Sequence, residues 1–369
     1  MKQLLDTLHI GDLALTSRVV MAPLTRARSG DDGVPVALNA LYYGQRATAG
    51  LIITEATNVS PNSAAFELAP GIHSEAQVAG WRGVSEAVHA AGGRIFMQLW
   101  HSGRASSYAL LQGRAPLSPS GVNDDLGLLQ VYGALRNGTY TRIAASPSRA
   151  MTTAEVYAAV AEFRAGAVNA VRAGLDGVEI HAANGYLVQQ FLSPVVNRRT
   201  DEFGGSLENR LRFLRLIVEA VLEVLPAHRV GVRISPFAAY NNATDPNVAE
   251  TYGALAQLLD GYAIGYLHGA DTNAWGGTAD MPKILDIIRS GYKGVVIANA
   301  GLTPETAQAL LAGGQADMVA FGRAYVANPD LVARIAAGGP YNEPDPYSFY
   351  GGAEHGYTDY PALAQGGSR

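Results

Sequence analysis

Short runs of apolar residues recur along the chain, and longer amphipathic segments separate most of them. The apolar runs have the length and β-branched content of buried strands, and the longer segments have the 3.6-residue period of helices. Strands are predicted at residues 19–23, 51–56, 94–100, 177–182, 230–236, 264–270, 295–301 and 318–324. Helices are predicted at residues 75–91, 153–173, 207–225, 249–262, 281–290 and 304–314.

This alternation predicts an α/β fold, a parallel (β/α)8 barrel of the TIM type. Residues 8–17 alternate about a Gly-Asp pair, which predicts an N-terminal hairpin. Residues 101–151 are rich in Gly, Pro and Ser and lack helical period, so we expect a lid or hairpin excursion over the barrel mouth after strand three. An open doubly wound sheet is the alternative, although no Gly-x-Gly-x-x-Gly opens a helix. Residues 1–369 are expected to form one domain.

Composition narrows the classes of function. The chain has 369 residues, 48% of them hydrophobic and 16% charged, as a globular protein does. Its net charge of −5 and mixed charge pattern give no attraction to nucleic acid or to an anionic membrane. The absence of cysteine excludes disulfides, thiolate metal sites and cysteine-ligated clusters. The N-terminus lacks the apolar run of a signal sequence and no stretch is long enough to span a membrane, so a cytoplasmic location is expected.

Polar side chains collect where the predicted strands end. In such a barrel the catalytic groups come from the C-terminal strand ends. His181, Asn184 and Tyr186 follow one another closely past strand four, where three hydrogen-bonding groups can converge on one small polar atom. The two-residue period of a strand points Gln98, His181 and Arg233 into the barrel top. Burying them requires either a polar ligand or an internal network, and both alternatives stay open here.

Strands seven and eight end in small residues followed by one cation, which is the phosphate-binding position of many barrels. The residues concerned are Ala300, Gly301, Gly322 and Arg323. No lysine lies at a strand end, which disfavours Schiff-base chemistry, and His101, His181 and Asp271 are too sparse for a metal, so no metal is expected. A large, flat, phosphorylated redox cofactor fits this rim best.

Eight motifs then occur in order along the chain: MAPLTR at 21–26, QLW at 98–100, HAANGYL at 181–187, NRRTDEFGGS at 197–206, RISP at 233–236, FGR at 321–323, NPD at 328–330 and HGYTDYP at 355–361. Their order and spacing resemble those of the old yellow enzymes, a family of FMN-dependent ene-reductases. The likeness runs from about Leu4 to Pro361, and it is greatest to the bacterial branch of N-ethylmaleimide, pentaerythritol tetranitrate and xenobiotic reductases.

The resemblance implies an FMN enzyme that takes hydride from NADPH or NADH and reduces activated C=C bonds of enones, enals, maleimides and nitroalkenes in a ping-pong cycle. His181 and Asn184 would donate hydrogen bonds to the substrate oxygen, and Tyr186 would protonate the α-carbon. The implied cofactor-binding residues are Pro23, Leu24, Thr25, Ala56, Gln98, His181 and Arg233 at the flavin ring, and Ala300, Gly301, Gly322 and Arg323 at the phosphate. Phe66, Trp100, Trp275 and Tyr350 would wall the substrate pocket.

Two positions depart from parts of this family. Thr25 stands where a thermophile-associated branch carries cysteine, which excludes that branch. Asn184 stands where several members carry a second histidine; both can donate to an oxyanion, so we expect activity with an altered substrate preference. The alternatives are a non-redox, phosphate-binding isomerase or lyase and a flavin-binding protein without turnover. A monomer or weak homo-oligomer acting on small molecules is expected.

Overall fold

The computed structural model describes residues 2–30, 32–273 and 279–363. Its strands are β1 (Leu8–Ile10), β2 (Leu13–Leu15), β3 (Val19–Met21), β4 (Leu51–Ile53), β5 (Thr57–Asn58), β6 (Ile95–Trp100), β7 (Leu117–Ser118), β8 (Val131–Ala134), β9 (Tyr140–Ile143), β10 (Arg149–Ala150), β11 (Gly177–Ala182), β12 (Val230–Ile234), β13 (Tyr266–Ala270), β14 (Val295–Asn299) and β15 (Met318–Phe321). Its α-helices are α1 (Ala37–Gly44), α2 (Glu75–Ala90), α3 (Thr153–Arg172), α4 (Leu187–Leu192), α5 (Leu207–Leu222), α6 (Val248–Gly261), α7 (Met281–Gly291), α8 (Pro304–Ala312), α9 (Arg323–Ala327) and α10 (Leu331–Ala337).

Eight of these strands close a parallel barrel. Their hydrogen-bonded order is β11, β12, β13, β14, β15, β3, β4 and β6, and β6 also pairs with β11, which completes the circle. The predicted (β/α)8 barrel is therefore confirmed. The predicted N-terminal hairpin is confirmed as the antiparallel pair of β1 and β2.

Alternation along the strands separates two apolar layers. Val178, Ile180 and Val232 belong to the large cluster between the strands and the surrounding helices. Inside the barrel, a second cluster fills the lower part, where side chains of β1 and β2 pack against residues such as Phe96 and Tyr266. The hairpin thus closes the bottom of the barrel with apolar side chains, and polar residues are left for the opposite end.

Hydroxyl side chains start the major helices that follow or flank these strands. Ser74, Thr152 and Ser206 accept a hydrogen bond from the backbone N–H of the third residue of α2, α3 and α5. The six predicted helices are present with ends that differ by a few residues. Four helices were missed, namely α1, α4, α9 and α10, which have five to eight residues and so too few turns for a readable period.

The excursion after β6 contains an antiparallel hairpin, β8 with β9, and a short parallel pair, β7 with β10. The buried guanidinium of Arg104 anchors it through a two-pronged ion pair with Asp125. The predicted excursion after strand three is confirmed, and its action as a lid stays a prediction. Within the described part of the chain, no helix has both the length and the apolar character to cross a bilayer.

Residues 345–357, here called the C-terminal strap, fold back over the ends of β3 and β4. Arg26 and Arg28 donate to the backbone carbonyls of the strap, with distances of 2.8 Å from Arg26 to Gly356 and 2.8 Å from Arg28 to Ser348. The buried Glu55 carboxylate accepts from the backbone N–H groups of Arg26 and Ala27 at 3.0 and 3.1 Å. Charge and backbone bonding together hold the strap against the barrel.

Candidate active site

A cavity of about 660 Å³ opens at the carboxyl ends of the barrel strands. Its lining includes fifteen of the sequence-predicted site residues: Pro23, Leu24, Thr25, Ala56, Phe66, Gln98, His181, Asn184, Tyr186, Arg233, Ala300, Gly301, Gly322, Arg323 and Tyr350. Tyr350 comes from the C-terminal strap. The barrel therefore brings together residues that are up to 300 positions apart in sequence, between Pro23 and Arg323.

Trp100, a predicted substrate-binding residue, does not line this cavity. It is fully buried, and its ring packs edge-on against Tyr186 with 5.0 Å between the ring centroids. It also lies 6.3 Å from the ring of Phe66, so it supports two rings of the cavity lining from behind. The prediction for Trp275 falls outside the described residues.

The floor of the site is a buried network around Glu179. Its carboxylate accepts from Gln98 Nε2 at 2.7 Å and from His268 Nδ1 at 2.8 Å. Burial lowers the pKa of His268, although Glu179 opposes the shift, so the imidazole is neutral and donates its Nδ1 proton. One carboxylate thus fixes the side-chain amide of Gln98 and leaves a negative charge directly beneath the cavity.

Arg233 lies one layer above that carboxylate, with its Cα paired to His181 in β11 and to His268 in β13. One terminal nitrogen, Nη2, donates to Asn299 Oδ1 at 2.9 Å. Asn299 Nδ2 in turn donates to the carbonyl of Ala320 at 2.8 Å. Arg233 makes no salt bridge with Glu179 among the described residues, and the Glu179 carboxylate is hydrogen-bonded to Gln98 and His268 instead. Arg233 Nε is buried with no partner among the described residues.

His181 is a neutral hydrogen-bond donor at the rim. Burial lowers its pKa well below the usual value, and the positive charge of Arg233 and the proximity of His268 add to the shift. Its Nδ1 accepts a hydrogen bond from the backbone N–H of Ala183 at 3.2 Å. The single proton of the neutral ring is therefore on Nε2, which makes this nitrogen a donor.

Asn184 has a left-handed backbone, with φ of 56°, which turns the chain sharply after β11. Its N–H donates to Ser235 Oγ at 2.7 Å, and its carbonyl accepts from Asn241 Nδ2 at 2.9 Å. Both backbone groups are thereby held, while the side-chain oxygen has no partner among the described residues. The side-chain amide is left available to a ligand.

Tyr186 stands beside His181, with the rings edge to face at 5.1 Å and 88°. Burial raises the pKa of its phenol, while hydrogen bonds from Tyr240 and Asn241 oppose that shift. The phenol therefore keeps its proton at neutral pH, with Tyr240 and Asn241 as the two neighbours that favour its anion. His181, Asn184 and Tyr186 converge as the sequence suggested.

The end of the cavity where a phosphate is predicted to bind combines a helix start with a cation. Gly301 has a left-handed φ of 53°, and α8 begins three residues later behind the Thr303 cap. Gly322 precedes α9, and Arg323 is exposed at its first position. Backbone N–H groups from two turns and one guanidinium thus line the same end of the cavity.

Aromatic side chains form the outer wall. Phe66 stacks on Tyr132 with centroids 4.8 Å apart, and Tyr350 approaches both rings at 5.4 Å. Tyr240 also lines the cavity. Sequence reasoning missed Tyr240, since it comes from an irregular turn where strand periodicity gives no orientation. It also missed Tyr132, which packs on Phe66 behind the cavity lining, because no strand was predicted where β8 lies. Their tyrosine identity was the available signal.

The chain was compared with known proteins. Residues 3–342 match the model of the NADH:flavin oxidoreductase / NADH oxidase family. The chain belongs to this family. It is 38% identical to a protein of Leishmania infantum described as a probable flavin mononucleotide-dependent alkene reductase, over 98% of this chain and 97% of that protein.

Solved structures in the family agree with this assignment. Morphinone reductase in complex with tetrahydroNAD is 45% identical with a TM-score of 0.94, over 100% of both chains. The old yellow enzyme homologue of Zymomonas mobilis is 37% identical with a TM-score of 0.91, over 98% of this chain and 100% of that chain. The resemblance inferred from the motifs is confirmed, and so is the expectation of a flavin- and nicotinamide-dependent oxidoreductase. The isomerase or lyase alternative is not favoured.

The residues of this oxidoreductase fit FMN. The cavity has the size of a cofactor site. The buried, unpartnered Nε of Arg233 needs an acceptor, which a flavin ring supplies through its pyrimidine oxygen and nitrogen atoms. Turns at Gly301 and Gly322 beside Arg323 suit a phosphate at the other end.

Proposed function

We propose that this FMN-dependent alkene reductase acts on conjugated enones and related activated alkenes, with His181, Asn184 and Tyr186 as its catalytic residues. The observation that carries the proposal is the convergence of two side-chain donors and one protonated phenol at one end of a cavity that also contains an unpaired arginine nitrogen. FMN, when bound, takes a hydride from reduced nicotinamide and delivers it to the β-carbon of the alkene.

His181 and Asn184 bind the carbonyl or nitro oxygen of the substrate. Nε2–H of His181 and the side-chain amide of Asn184 stabilise the negative charge that develops on that oxygen, and a preorganised donor of this kind contributes about 10²- to 10³-fold in rate. The neutral state of His181 is important, because Nδ1 is held by Ala183 and only Nε2 can donate.

Tyr186 supplies the proton to the α-carbon. Its hydroxyl is protonated across neutral pH, and the hydrogen bonds from Tyr240 and Asn241 stabilise the tyrosinate that remains. General acid catalysis from a positioned group of this type contributes about 10²- to 10⁴-fold. Phe66 and Tyr350 exclude water from the face where the alkene lies.

Arg233, Gln98 and Thr25 line the cavity and would hold the flavin ring. Arg233 carries a permanent positive charge that stabilises an anionic ring. Pro23, Leu24 and Ala56 supply apolar contact, and Ala300, Gly301, Gly322 and Arg323 hold the phosphate. We also propose a monomer or weak homo-oligomer in the cytoplasm, to be checked by light scattering and cell fractionation.

A spectroscopic titration tests the function. We expect a yellow purified protein whose absorbance near the flavin maximum bleaches anaerobically with NADPH or NADH and returns when 2-cyclohexenone is added. Colour that does not bleach would point to a binding protein, and a colourless protein that releases no flavin on denaturation would contradict the proposal.

Tyr186→Phe tests the assignment of roles. We expect oxidation of the reduced enzyme by enones to slow by about 10²-fold or more, since the general acid is lost, while reduction by NADPH changes little. Tyr350→Phe is the control, because it removes a hydroxyl from the same cavity without removing the proposed proton donor. Equal losses in both half-reactions of Tyr186→Phe would refute the proton-donor role.

A further inference from the structure

We propose that the buried Arg104–Asp125 ion pair is a positioning clamp for the catalytic residues, because it fixes the turn Tyr240–Asn242 against Asn184 and Tyr186. This rests on the proposed function. Neither residue of the pair lines the cavity, so the clamp acts through the turn rather than on a ligand.

The turn has an uncommon backbone that benefits from external support. Asn241 and Asn242 both have left-handed backbones, with φ of 58° and 51°. Asparagine tolerates this conformation better than most residues, but normally as a single residue and not as a pair. Two consecutive residues of this kind make the turn dependent on its surrounding contacts.

Arg104 and Asp125 supply much of that support. The guanidinium is fully buried and makes paired bonds to the carboxylate, 2.7 Å from Nη1 to Oδ1 and 2.6 Å from Nη2 to Oδ2. The same Nη2 donates to the carbonyl of Asn241 at 3.2 Å. Asn242 Nδ2 donates to Asp125 Oδ2 at 2.7 Å. One ion pair from the excursion is therefore hydrogen-bonded to both left-handed residues, Asn241 and Asn242.

The held turn reaches the catalytic residues on its other side. Asn241 Nδ2 donates to the backbone carbonyl of Asn184 at 2.9 Å. The ring of Tyr240 lies 6.4 Å from that of Tyr186, and their hydroxyls are hydrogen-bonded. Gly185 between them leaves room for this approach, since a Cβ there would lie 2.3 Å from the carbonyl oxygen of Tyr240. Loosening the turn thus displaces both the oxyanion donor and the surroundings of the proton donor.

Two variants release the turn by different routes. Asp125→Asn removes the charge that orients Arg104. Asn242→Ala removes the hydrogen bond from Asn242 to Asp125 and leaves the Arg104–Asp125 ion pair intact. It therefore provides the test if the Asp125→Asn protein does not fold. Asp124→Asn is the matched control, because Asp124 is the neighbouring residue, its side chain is 73% exposed, and its only described ion pair spans 4.0 Å to Arg198.

Holoenzyme of each variant would be studied in separate half-reactions. We expect Asp125→Asn and Asn242→Ala to slow oxidation by 2-cyclohexenone by about 10- to 100-fold, as a small misplacement does. Reduction by NADPH and flavin occupancy should stay within about twofold. Asp124→Asn should match the wild type. Hydrogen exchange should accelerate in residues 238–245 of the first two variants only.

A double variant separates positioning from general damage. If the clamp acts through the proton donor, Asn242→Ala should cost much less in a Tyr186→Phe background than alone, because coupled residues are not additive. Additive losses, equal losses in both half-reactions, or unchanged exchange in residues 238–245 would each overturn the clamp. If Tyr186→Phe itself has no effect on oxidation, the proposed function fails instead.

Discussion

Glu179→Gln isolates the charge at the centre of the barrel floor. The substitution keeps the shape of the side chain and removes its charge. The wild-type carboxylate accepts from Gln98 and His268. A glutamine has one acceptor oxygen and an NH2 group that itself donates, so at least one of the buried donors loses its acceptor.

The size of the effect follows from these bonds. A hydrogen bond to a charged group contributes about 1.5–3 kcal/mol, and a buried donor without a partner costs about 1–3 kcal/mol. The substitution also removes the electrostatic attraction between Arg233 and the Glu179 carboxylate. Relief from burying that carboxylate offsets part of the loss. We expect the free energy of unfolding to fall by about 3 kcal/mol.

Urea unfolding measures this change in the free energy of unfolding. The flavin-free protein is used because loss of the cofactor then does not affect the result. Glu223→Gln is the control, since Glu223 pairs with Arg164 on the surface, where both side chains are about half exposed or more; its effect should stay within about 0.5 kcal/mol. A Glu179→Gln protein as stable as this control would refute the reasoning. It would mean that the floor is satisfied by hydrogen bonding alone and needs no negative charge.

Three further outcomes are expected. Arg233→Ala should reduce FMN occupancy after purification, and full occupancy would contradict its place at the flavin. Burial lowers the pKa of His101 to about 3, so between about pH 6.5 and 3 the unfolded chain binds a proton that the folded one does not. The free energy of unfolding should therefore fall as pH decreases from about 6.5. His101→Gln should reduce the slope of the free energy of unfolding against pH by about 1.4 kcal/mol per pH unit. Gly185→Ala should lower the melting temperature more than Gly205→Ala, because both have positive φ but a Cβ at Gly205 meets nothing within 4 Å; equal losses would show that backbone strain alone decides.

The barrel and most of the cavity lining were predictable because periodic strands impose orientation. Once residues 177–182 are a strand, Glu179 and His181 must share a face, and the structure bears this out in the pairing with Gln98 and Arg233. The old yellow enzyme motifs added the identity of the family. Their position at strand ends is what made the motifs interpretable as one site.

The orientation of side chains could not be predicted from the sequence where regular structure ends. Tyr240 belongs to a turn with left-handed residues that no sequence period describes, and Tyr132 belongs to β8, a four-residue strand inside an excursion where no strand was predicted. Trp100 illustrates a different limit: strand parity gave its inward direction, but not the ring of Tyr186 that covers it. The hydrogen bond that His268 donates to Glu179 was likewise hidden, since His268 comes from a strand whose polar residue the sequence did not connect with the site.

The C-terminal strap is fastened mainly by arginine bonds to its peptide carbonyls, including those of Phe349 and Ala353. Exchanging a side chain there leaves these carbonyls in place. The segment that contributes Tyr350 to the cavity can therefore accept a changed ring or a smaller group without detaching. Libraries randomised at Tyr350 should yield folded proteins with shifted preferences for bulky or compact alkenes, which makes this wall a tolerant place to redesign selectivity.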